Sequence, residues 1–387
     1  MNDVKLSLVI PYKGRLANLR TVFEALAHQT MDGSEFEVLV GAMEYSEEYV
    51  GACREFTGRL NIVSVLSAAE FEIPRARNLG MRQATGEVVV QMDADTLLAP
   101  GALQNLYDRH FSFGQDVCVV GQVVGYGNND RDVTSVDVRP YAHYRAALEE
   151  LGRAGGAGGD PRFLVPHVVP WAFAWTGLIA LRLATVRANG LYFDESFHGW
   201  GVDDLEWGYR ICATHTPIVL RPDVYALHLP HLRDRAANER TERANYRRFL
   251  RKWPAPDVEL AHAFGDVAAN ARFLGYLEEL RKVTGGPPGS LGVARGRACG
   301  RDLLLVGVLT GAEGRVGDPG PFAMFDGASP AEVWPLAGLA LPYEDGEVAE
   351  CRILPPVSGF SAPYRKAIRA EAERVAGTVV LPEGGGW

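Results

Sequence analysis

Short apolar runs alternate with longer stretches of helical periodicity over the first hundred residues. This alternation of strand-type and helix-type patterns is typical of an α/β fold with a mostly parallel sheet flanked by helices, in which ligands bind at the carboxyl ends of the strands. The predicted strands are 6–11, 36–40, 60–66 and 88–92, and the predicted helices are 16–28, 46–57 and 73–84.

Two carboxylates follow the apolar run 88–92 directly and are separated by one small residue, in the sequence Asp93-Ala94-Asp95. In an extended chain, residues i and i+2 point the same way about 6.6 Å apart, so both acids can serve one polar site. Such oxygen ligands suit a metal ion and its bound phosphates. The alternative is a strand end followed by a polar turn, because Asp-x-Asp occurs widely by chance.

A second pattern combines glycines with paired acids, in His198-Gly-Trp-Gly-Val-Asp-Asp204, ahead of a helical pattern. It predicts Asp203 and Asp204 at a helix N-terminus, where backbone N–H groups and the helix dipole favour carboxylates. A purely structural cap is therefore one interpretation, and a functional carboxylate is the other.

A third pattern is His228-Leu-Pro-His231. Pro230 disfavours a regular helix, and the two imidazoles come close enough to share a cation with Asp95. A lone histidine is usually structural, but these two follow an acid pair.

Composition limits the class of protein. The chain has 387 residues, 47% of them hydrophobic, which is enough for two or three domains. A net charge of -9 argues against nucleic acid as the main partner. No transmembrane segment and no signal peptide are recognisable, so a cytoplasmic protein is expected. The five cysteines are scattered without a C-x-x-C pair, which indicates reduced structural thiols.

Glycine and proline mark a break in the chain at Thr284-Gly-Gly-Pro-Pro-Gly-Ser290. The predicted organisation is a catalytic-type α/β domain over 1–254, a helical segment and Gly/Pro linker over 255–290, and a small α/β accessory domain over 291–387.

Together, these motifs resemble the nucleotide-sugar-dependent glycosyltransferases of the GT-A fold, particularly the inverting family 2 and the galactosyltransferase-like enzymes. The resemblance covers about residues 4–253 and depends on five motifs in the order of the family. They are Val9-Ile-Pro-Tyr-Lys-Gly-Arg15, Pro74-Arg-Ala-Arg-Asn-Leu-Gly80, Trp175-Thr-Gly-Leu-Ile-Ala-Leu-Arg182, Gly199-Trp-Gly-Val-Asp-Asp204 and His228-Leu-Pro-His231.

The resemblance implies a function for each motif. Asp204 would be the general base of an inverting displacement, and Asp203 would orient the acceptor or a sugar hydroxyl. Asp95, His228 and His231 would hold Mn²⁺, or Mg²⁺, with Asp93 at the ribose or a metal-bound water. The residues expected to bind donor or acceptor are Pro11, Tyr12, Lys13, Arg15, Glu44, Arg77, Asn78, Asp93, Trp175, Trp200, Gly201 and Asp203.

The sequence departs from the family at the second strand. Many members place an acidic residue there to read the nucleotide base, whereas this chain has Gly41-Ala42-Met43-Glu44. Glu44 is the candidate substitute. The preference for a uridine donor depends on family prevalence, and another nucleotide remains open.

The C-terminal hundred residues faintly resemble part of a class I methyltransferase but lack its glycine-rich cofactor loop. A degenerate Rossmann-like module for acceptor docking or dimer contacts is expected. The predicted activity is sugar transfer from a nucleotide sugar to a hydroxyl of a glycan or natural product, with a peptide as a further candidate. The alternatives are a nucleotidyltransferase and a catalytically silent sugar-nucleotide-binding scaffold.

Overall fold

The structure of the protein is a computed structural model that describes residues 4–125, 132–153, 160–285, 291–310 and 320–383. The chain divides into two compact units, Met1–Val165 with Pro170–Asn245, and Pro166–Val169 with Tyr246–Trp387. The helical part of the predicted segment 255–290 thus belongs to the second unit, and its residues 286–290 lie outside the described residues.

The first unit contains an eight-stranded sheet in the order β3-β2-β1-β4-β7-β6-β8-β5. Strands β3, β2, β1 and β4 are parallel to one another, and β7 joins them in the antiparallel direction. The predicted α/β fold class is therefore confirmed. The strands are β1 (Leu6–Tyr12), β2 (Phe36–Ala42), β3 (Ile62–Leu66), β4 (Val88–Met92), β5 (Thr96–Leu98), β6 (Cys118–Val124), β7 (Leu178–Arg182) and β8 (Ile218–His228).

The helices of the first hundred residues begin and end close to their predicted positions. Ser46 shows the local cause, because its hydroxyl accepts a hydrogen bond from the Tyr49 N–H at 3.1 Å and caps the second helix. The helices of the chain are α1 (Leu16–Ala27), α2 (Glu47–Phe56), α3 (Ile73–Gln83), α4 (Ala102–His110), α5 (Tyr141–Arg153), α6 (Leu183–Asn189), α7 (Asp203–Ala213), α8 (Arg235–Lys252), α9 (Pro256–Phe264), α10 (Asp266–Thr284) and α11 (Ala362–Val375).

The central strands are buried on both faces, since every residue of β1 and β2 is buried. Helix α3 lies so close to β2 that a Cβ atom at Gly41 would be 1.9 Å from the Ala76 carbonyl oxygen. This contact explains why glycine occupies the end of the second strand, where the resembling family often has an acid.

The second unit contains a five-stranded sheet in the order β11-β9-β10-β12-β13. Strands β9 and β10 form an antiparallel hairpin, and β12, α11 and β13 form a βαβ unit with parallel strands. Among the described residues this is the one βαβ unit of that sheet, which limits the methyltransferase resemblance to a short segment. The strands are β9 (Leu291–Ala298), β10 (Arg301–Leu309), β11 (Glu332–Trp334), β12 (Val348–Ile353) and β13 (Ala376–Val380).

Among the helices that the structure describes, none is long and apolar enough to cross a bilayer.

A buried carboxylate organises the second unit. Glu259, in α9, accepts hydrogen bonds from three consecutive backbone N–H groups, those of Ala337, Gly338 and Leu339, at 2.7 to 3.0 Å. The Tyr276 hydroxyl donates a fourth at 3.2 Å. Burial raises the pKa of Glu259 to about 7, although these four hydrogen bonds act in the opposite direction.

The raised pKa of Glu259 predicts a pH-dependent stability. The ordinary pKa of this carboxyl, 4.5, is lower than its pKa in the folded state, so the folded state binds the proton more tightly than the unfolded state. The stabilisation that protonated Glu259 provides is therefore complete below pH 4.5. It is lost as the pH rises through about 7 and amounts to about 3 kcal/mol. Urea unfolding from pH 4.5 to 8 should show this loss in the wild type and not in Glu259→Gln.

The control for this measurement is Glu278→Gln, which removes an exposed carboxylate of α10. It should retain the wild-type pH dependence. Equal pH dependence in Glu259→Gln and the wild type would contradict the assignment.

Candidate active site

A carboxylate and two imidazoles meet where β4 ends. Strand β5 pairs antiparallel with the end of β8, so that Thr96 lies opposite His228. The backbone N–H of Leu229 donates to the Asp95 carbonyl at 2.7 Å. This pairing brings His228 and His231 to Asp95, which precedes them by more than 130 residues in the chain.

The geometry of these three side chains fits a metal ion. One ligand atom from each lies within 4.8 Å of the other two. The distance from Asp95 Oδ2 to His231 Nδ1 is 2.9 Å, and that from Asp95 Oδ1 to His228 Nε2 is 3.8 Å. Asp95 Oδ1 is buried and has no hydrogen-bond partner among the described residues. A bound cation would satisfy this atom, and a set of one carboxylate and two imidazoles is suited to a divalent transition metal.

Electrostatics favour the ligand forms of these groups. Burial alone would raise the pKa of Asp95, but nearby His231, His228 and Arg15 outweigh it and hold that pKa well below its ordinary value. Burial lowers the pKa of His228 more than Asp95 raises it. The carboxylate is therefore ionised and the imidazole neutral, as metal binding requires.

Further side chains surround the cluster, and two of them, Asn18 and Arg233, lie outside the sequence motifs. Asn18 donates from Nδ2 to the Pro230 carbonyl at 2.9 Å, which fixes the bend between the two histidines. Arg233 donates to His231 Nε2 at 2.9 Å. Arg15, which was predicted, forms an ion pair with Asp95, and its side chain is 41% exposed.

The paired acids occupy the first turn of α7, as predicted. Val202, the residue before them, has φ of 73°, a conformation that is strained for a β-branched residue. Asp204 accepts hydrogen bonds from the Leu205 N–H at 2.9 Å and the Thr176 N–H at 3.4 Å. Asp203 is buried and ion-paired with Arg77 at 2.5 Å.

The backbone of the turn before α7 is held by side chains from elsewhere in the first unit. Glu72 accepts from the Gly199 N–H at 3.1 Å. Asn245 donates to the carbonyls of His198 and Gly201, both at 2.9 Å. The strained turn is thus fixed by long-range hydrogen bonds, which sequence reasoning did not find because Glu72 and Asn245 lie far from it in the chain.

Aromatic groups lie beside the acids. Trp175 precedes the residue whose N–H binds Asp204, and the Arg162 guanidinium lies 4.6 Å from its ring centroid. Arg162 is itself fully buried and bonded to Asp160 at 2.7 Å. Trp200 is 39% exposed, and its backbone is bonded to Thr241. The Asp160–Arg162 pair is a second support that the sequence motifs did not reveal.

The predicted nucleotide-binding residues lie at the end of β1. Tyr12 is buried and stacked on Tyr49 with ring centroids 4.6 Å apart, and burial raises the pKa of Tyr12 to about 12. The Lys13 ammonium lies 5.4 Å from the centroid of the Phe71 ring. Glu44 lies beside the turn after β1, with its Oε2 3.6 Å from the position of a Cβ on Gly14. Pro11 is opposite Gly41 in the β1–β2 pair.

Two predicted binding residues, Asn78 and Gly201, also have structural roles. The side-chain amide of Asn78 donates to the Phe193 carbonyl at 2.9 Å and accepts from the Phe193 N–H at 2.8 Å. Gly201 has φ of 92° and provides the turn before α7. Their direct contact with a ligand stays a prediction, as do the roles of the other candidate residues.

The sequence of this chain is similar to those of known glycosyltransferases. Residues 7–160 match the family model described as glycosyl transferase family 2. Validoxylamine A glucosyltransferase from Streptomyces hygroscopicus subsp. limoneus is 27% identical, covering 97% of this chain and 90% of that protein. The enzyme of the same name from subsp. jinggangensis is also 27% identical, covering 97% and 96%. The solved structure of S. aureus TarS 1–349 in complex with UDP-GlcNAc has a TM-score of 0.48 and 14% identity, covering 72% of this chain and 78% of that chain.

The protein is a glycosyltransferase that uses a nucleotide-sugar donor. Its sequence and α/β fold resemble those of the family 2 enzymes with a GT-A fold.

Proposed function

We propose that the protein is a metal-dependent, inverting glycosyltransferase that moves a sugar from a UDP-sugar to an acceptor hydroxyl. The observation that carries this proposal is the cluster of Asp95, His228 and His231, whose ligand atoms lie within 4.8 Å of one another. Mn²⁺, or alternatively Mg²⁺, is the proposed ion.

Donor departure requires stabilisation of the negative charge that develops on the diphosphate. A divalent cation held by Asp95, His228 and His231 supplies that stabilisation when bound. Arg15 contacts Asp95 and is partly exposed, so its guanidinium can add positive charge on the solvent side of the same site. Asp93, which precedes Asp95 by two residues, is partly exposed and can accept a hydrogen bond from a ribose hydroxyl.

Attack requires removal of a proton from the acceptor hydroxyl, and Asp204 is the proposed base. The N–H groups of Thr176 and Leu205 donate to its carboxylate and fix its orientation. Trp175 and Trp200 are proposed to contact the apolar faces of sugar rings. One base and one displacement imply inversion at the anomeric carbon.

The substrates are proposed from the relatives and the family. The relatives are named for glucosyl transfer to validoxylamine A, which favours a glucose donor and a natural-product acceptor over a glycan or peptide. Uridine is proposed as the nucleoside of the donor because it prevails in the family, and Glu44 is proposed to contact the uracil base. The second unit is proposed to assist acceptor docking.

Two rival functions give different products. A nucleotidyltransferase would release pyrophosphate from a nucleoside triphosphate and a sugar phosphate. A sugar-nucleotide-binding scaffold would bind the donor without turnover.

The metal centre predicts nucleotide binding that depends on Mn²⁺. A nucleotide at a hundred times its dissociation constant stabilises the native state by about 2.7 kcal/mol, a rise of roughly 5 °C in melting temperature. A thermal-shift screen of UDP, GDP, CDP and dTDP should show this rise with UDP only when Mn²⁺ is present. The variants His228→Gln and His231→Gln should lose the part of this rise in melting temperature that depends on Mn²⁺.

His198→Gln is the matched control, because His198 is 61% exposed and outside the cluster. It should respond like the wild type. A UDP-induced rise of equal size without Mn²⁺ would reject the metal dependence, and a rise with GDP alone would reject uridine.

The proposed base predicts a separation of binding from transfer. Asp204→Asn keeps the size of the side chain but cannot accept the proton, so transfer from UDP-glucose should fall by about 10²-fold or more. The dissociation constant for UDP with Mn²⁺ should stay within about threefold, since Asp204 is proposed to act on the acceptor. Transfer is measured as UDP release with validoxylamine A as acceptor.

Glu242→Gln is the control for this change, because Glu242 lies beside the same turn, 3.5 Å from the position of a Cβ on Gly201. Its transfer rate should remain near that of the wild type. Full activity in Asp204→Asn would exclude Asp204 as the base, and a wild type that binds UDP but turns over neither UDP-glucose nor a nucleoside triphosphate would favour the scaffold.

A further inference from the structure

Arg77 occupies a buried position between two carboxylates that come from distant parts of the chain. Its Nη2 lies 3.1 Å from Asp93 Oδ1, and its Nη1 lies 2.5 Å from Asp203 Oδ2. The guanidinium also lies over the Phe193 ring, 5.1 Å from its centroid. Only 6% of the Arg77 side chain is exposed.

These contacts do not suit the expected role of Arg77 as a ligand of the donor. Both of its terminal nitrogens bond carboxylates of the protein, and burial separates the guanidinium from solvent. A diphosphate would have to replace one of these carboxylates, which would leave a buried charge unpaired. Arg15, which is 41% exposed, has the accessibility that a diphosphate ligand requires.

The two carboxylates that Arg77 joins stand next to the two functional parts of the site. Asp93 begins the turn that carries Asp95, and Asp203 immediately precedes Asp204 in α7. One planar guanidinium therefore fixes the donor-side turn and the acceptor-side helix relative to each other. We propose that Arg77 is a positioning residue that sets the geometry between donor and general base. This inference rests on the proposed function.

The chemistry makes this geometry important. A displacement requires the acceptor oxygen, the anomeric carbon and the base in near-attack positions, and a misplacement of about 1 Å can cost about 10²-fold in rate. Lysine retains the positive charge of arginine but offers one nitrogen, which cannot reproduce a bridge made by two separate nitrogens. Arg77→Lys therefore removes the bridge and keeps the charge.

Transfer and donor hydrolysis give the first test. Arg77→Lys should lower glucose transfer from UDP-glucose to validoxylamine A by about tenfold or more, because the base is misplaced. Hydrolysis of UDP-glucose and the dissociation constant for UDP with Mn²⁺ should stay within about threefold, because the metal ligands remain. Asp203→Asn should show the same fall in transfer with nearly unchanged hydrolysis and UDP binding. Transfer by the double variant should be no lower than that of either single variant, as expected for two residues that act as one unit.

The control is Arg75→Lys on the same helix, which alters the ion pair of a more exposed arginine, 39% exposed, with Glu195. It should retain the wild-type ratio of transfer to hydrolysis. The role of Arg77 would be overturned if UDP binding weakened in proportion to transfer, as for a donor ligand. It would also be overturned if transfer and hydrolysis fell equally, as for a general loss of folded protein.

Amide hydrogen exchange tests the same inference without any ligand. Peptides that cover residues 93–98 and 200–206 should both exchange roughly tenfold faster in Arg77→Lys than in Arg75→Lys, because one bridge holds both segments. Unchanged exchange in either segment would overturn the inference. A different result would contradict the proposed function itself: a wild type that shows no metal-dependent binding of UDP and no turnover of UDP-glucose.

Discussion

The antiparallel pairing of β5 with β8 is the constraint on which the candidate site depends. It places His228 opposite Thr96, and the adjacent Leu229 N–H bonds the Asp95 carbonyl at 2.7 Å. A carboxylate at the end of a central strand and two imidazoles from a late segment thereby reach one buried position. Without this pairing, Asp95 would be a buried charge with no compensating groups from that segment, which is a costly arrangement.

Rigidity on the acceptor side has a different origin. Val202 adopts a strained left-handed conformation before the paired acids. Glu72 accepts a hydrogen bond from the preceding turn and Asn245 donates two to it, which holds the turn in place. Strain of this kind persists only where the surroundings determine it fully. The first turn of α7 is thus presented in one orientation, and the proposed base depends on contacts that are well separated in sequence.

Local patterns were sufficient to predict much of the fold. The elements from β1 to β4 agree with the sequence prediction because each has its own periodicity and boundary residues, such as the Ser46 cap. The three metal-ligand candidates were also identified from sequence, through motif order. Supports such as Asp160, Arg162 and Asn245 were not, because no local pattern marks a residue whose partner is distant. Arg77 was predicted to contact a ligand from its motif, and this role stays a prediction; its burial between Asp93 and Asp203 is visible only in three dimensions.

The proposed metal centre is the central claim, and its ligands can be observed directly. Electron spin-echo envelope modulation of the protein with Mn²⁺ and UDP detects nitrogen nuclei bound to the metal. The account predicts couplings from two imidazole nitrogens that change when histidine is labelled with ¹⁵N. One coupling should disappear in His228→Gln and one in His231→Gln. Mn²⁺ bound without any imidazole coupling would contradict the account.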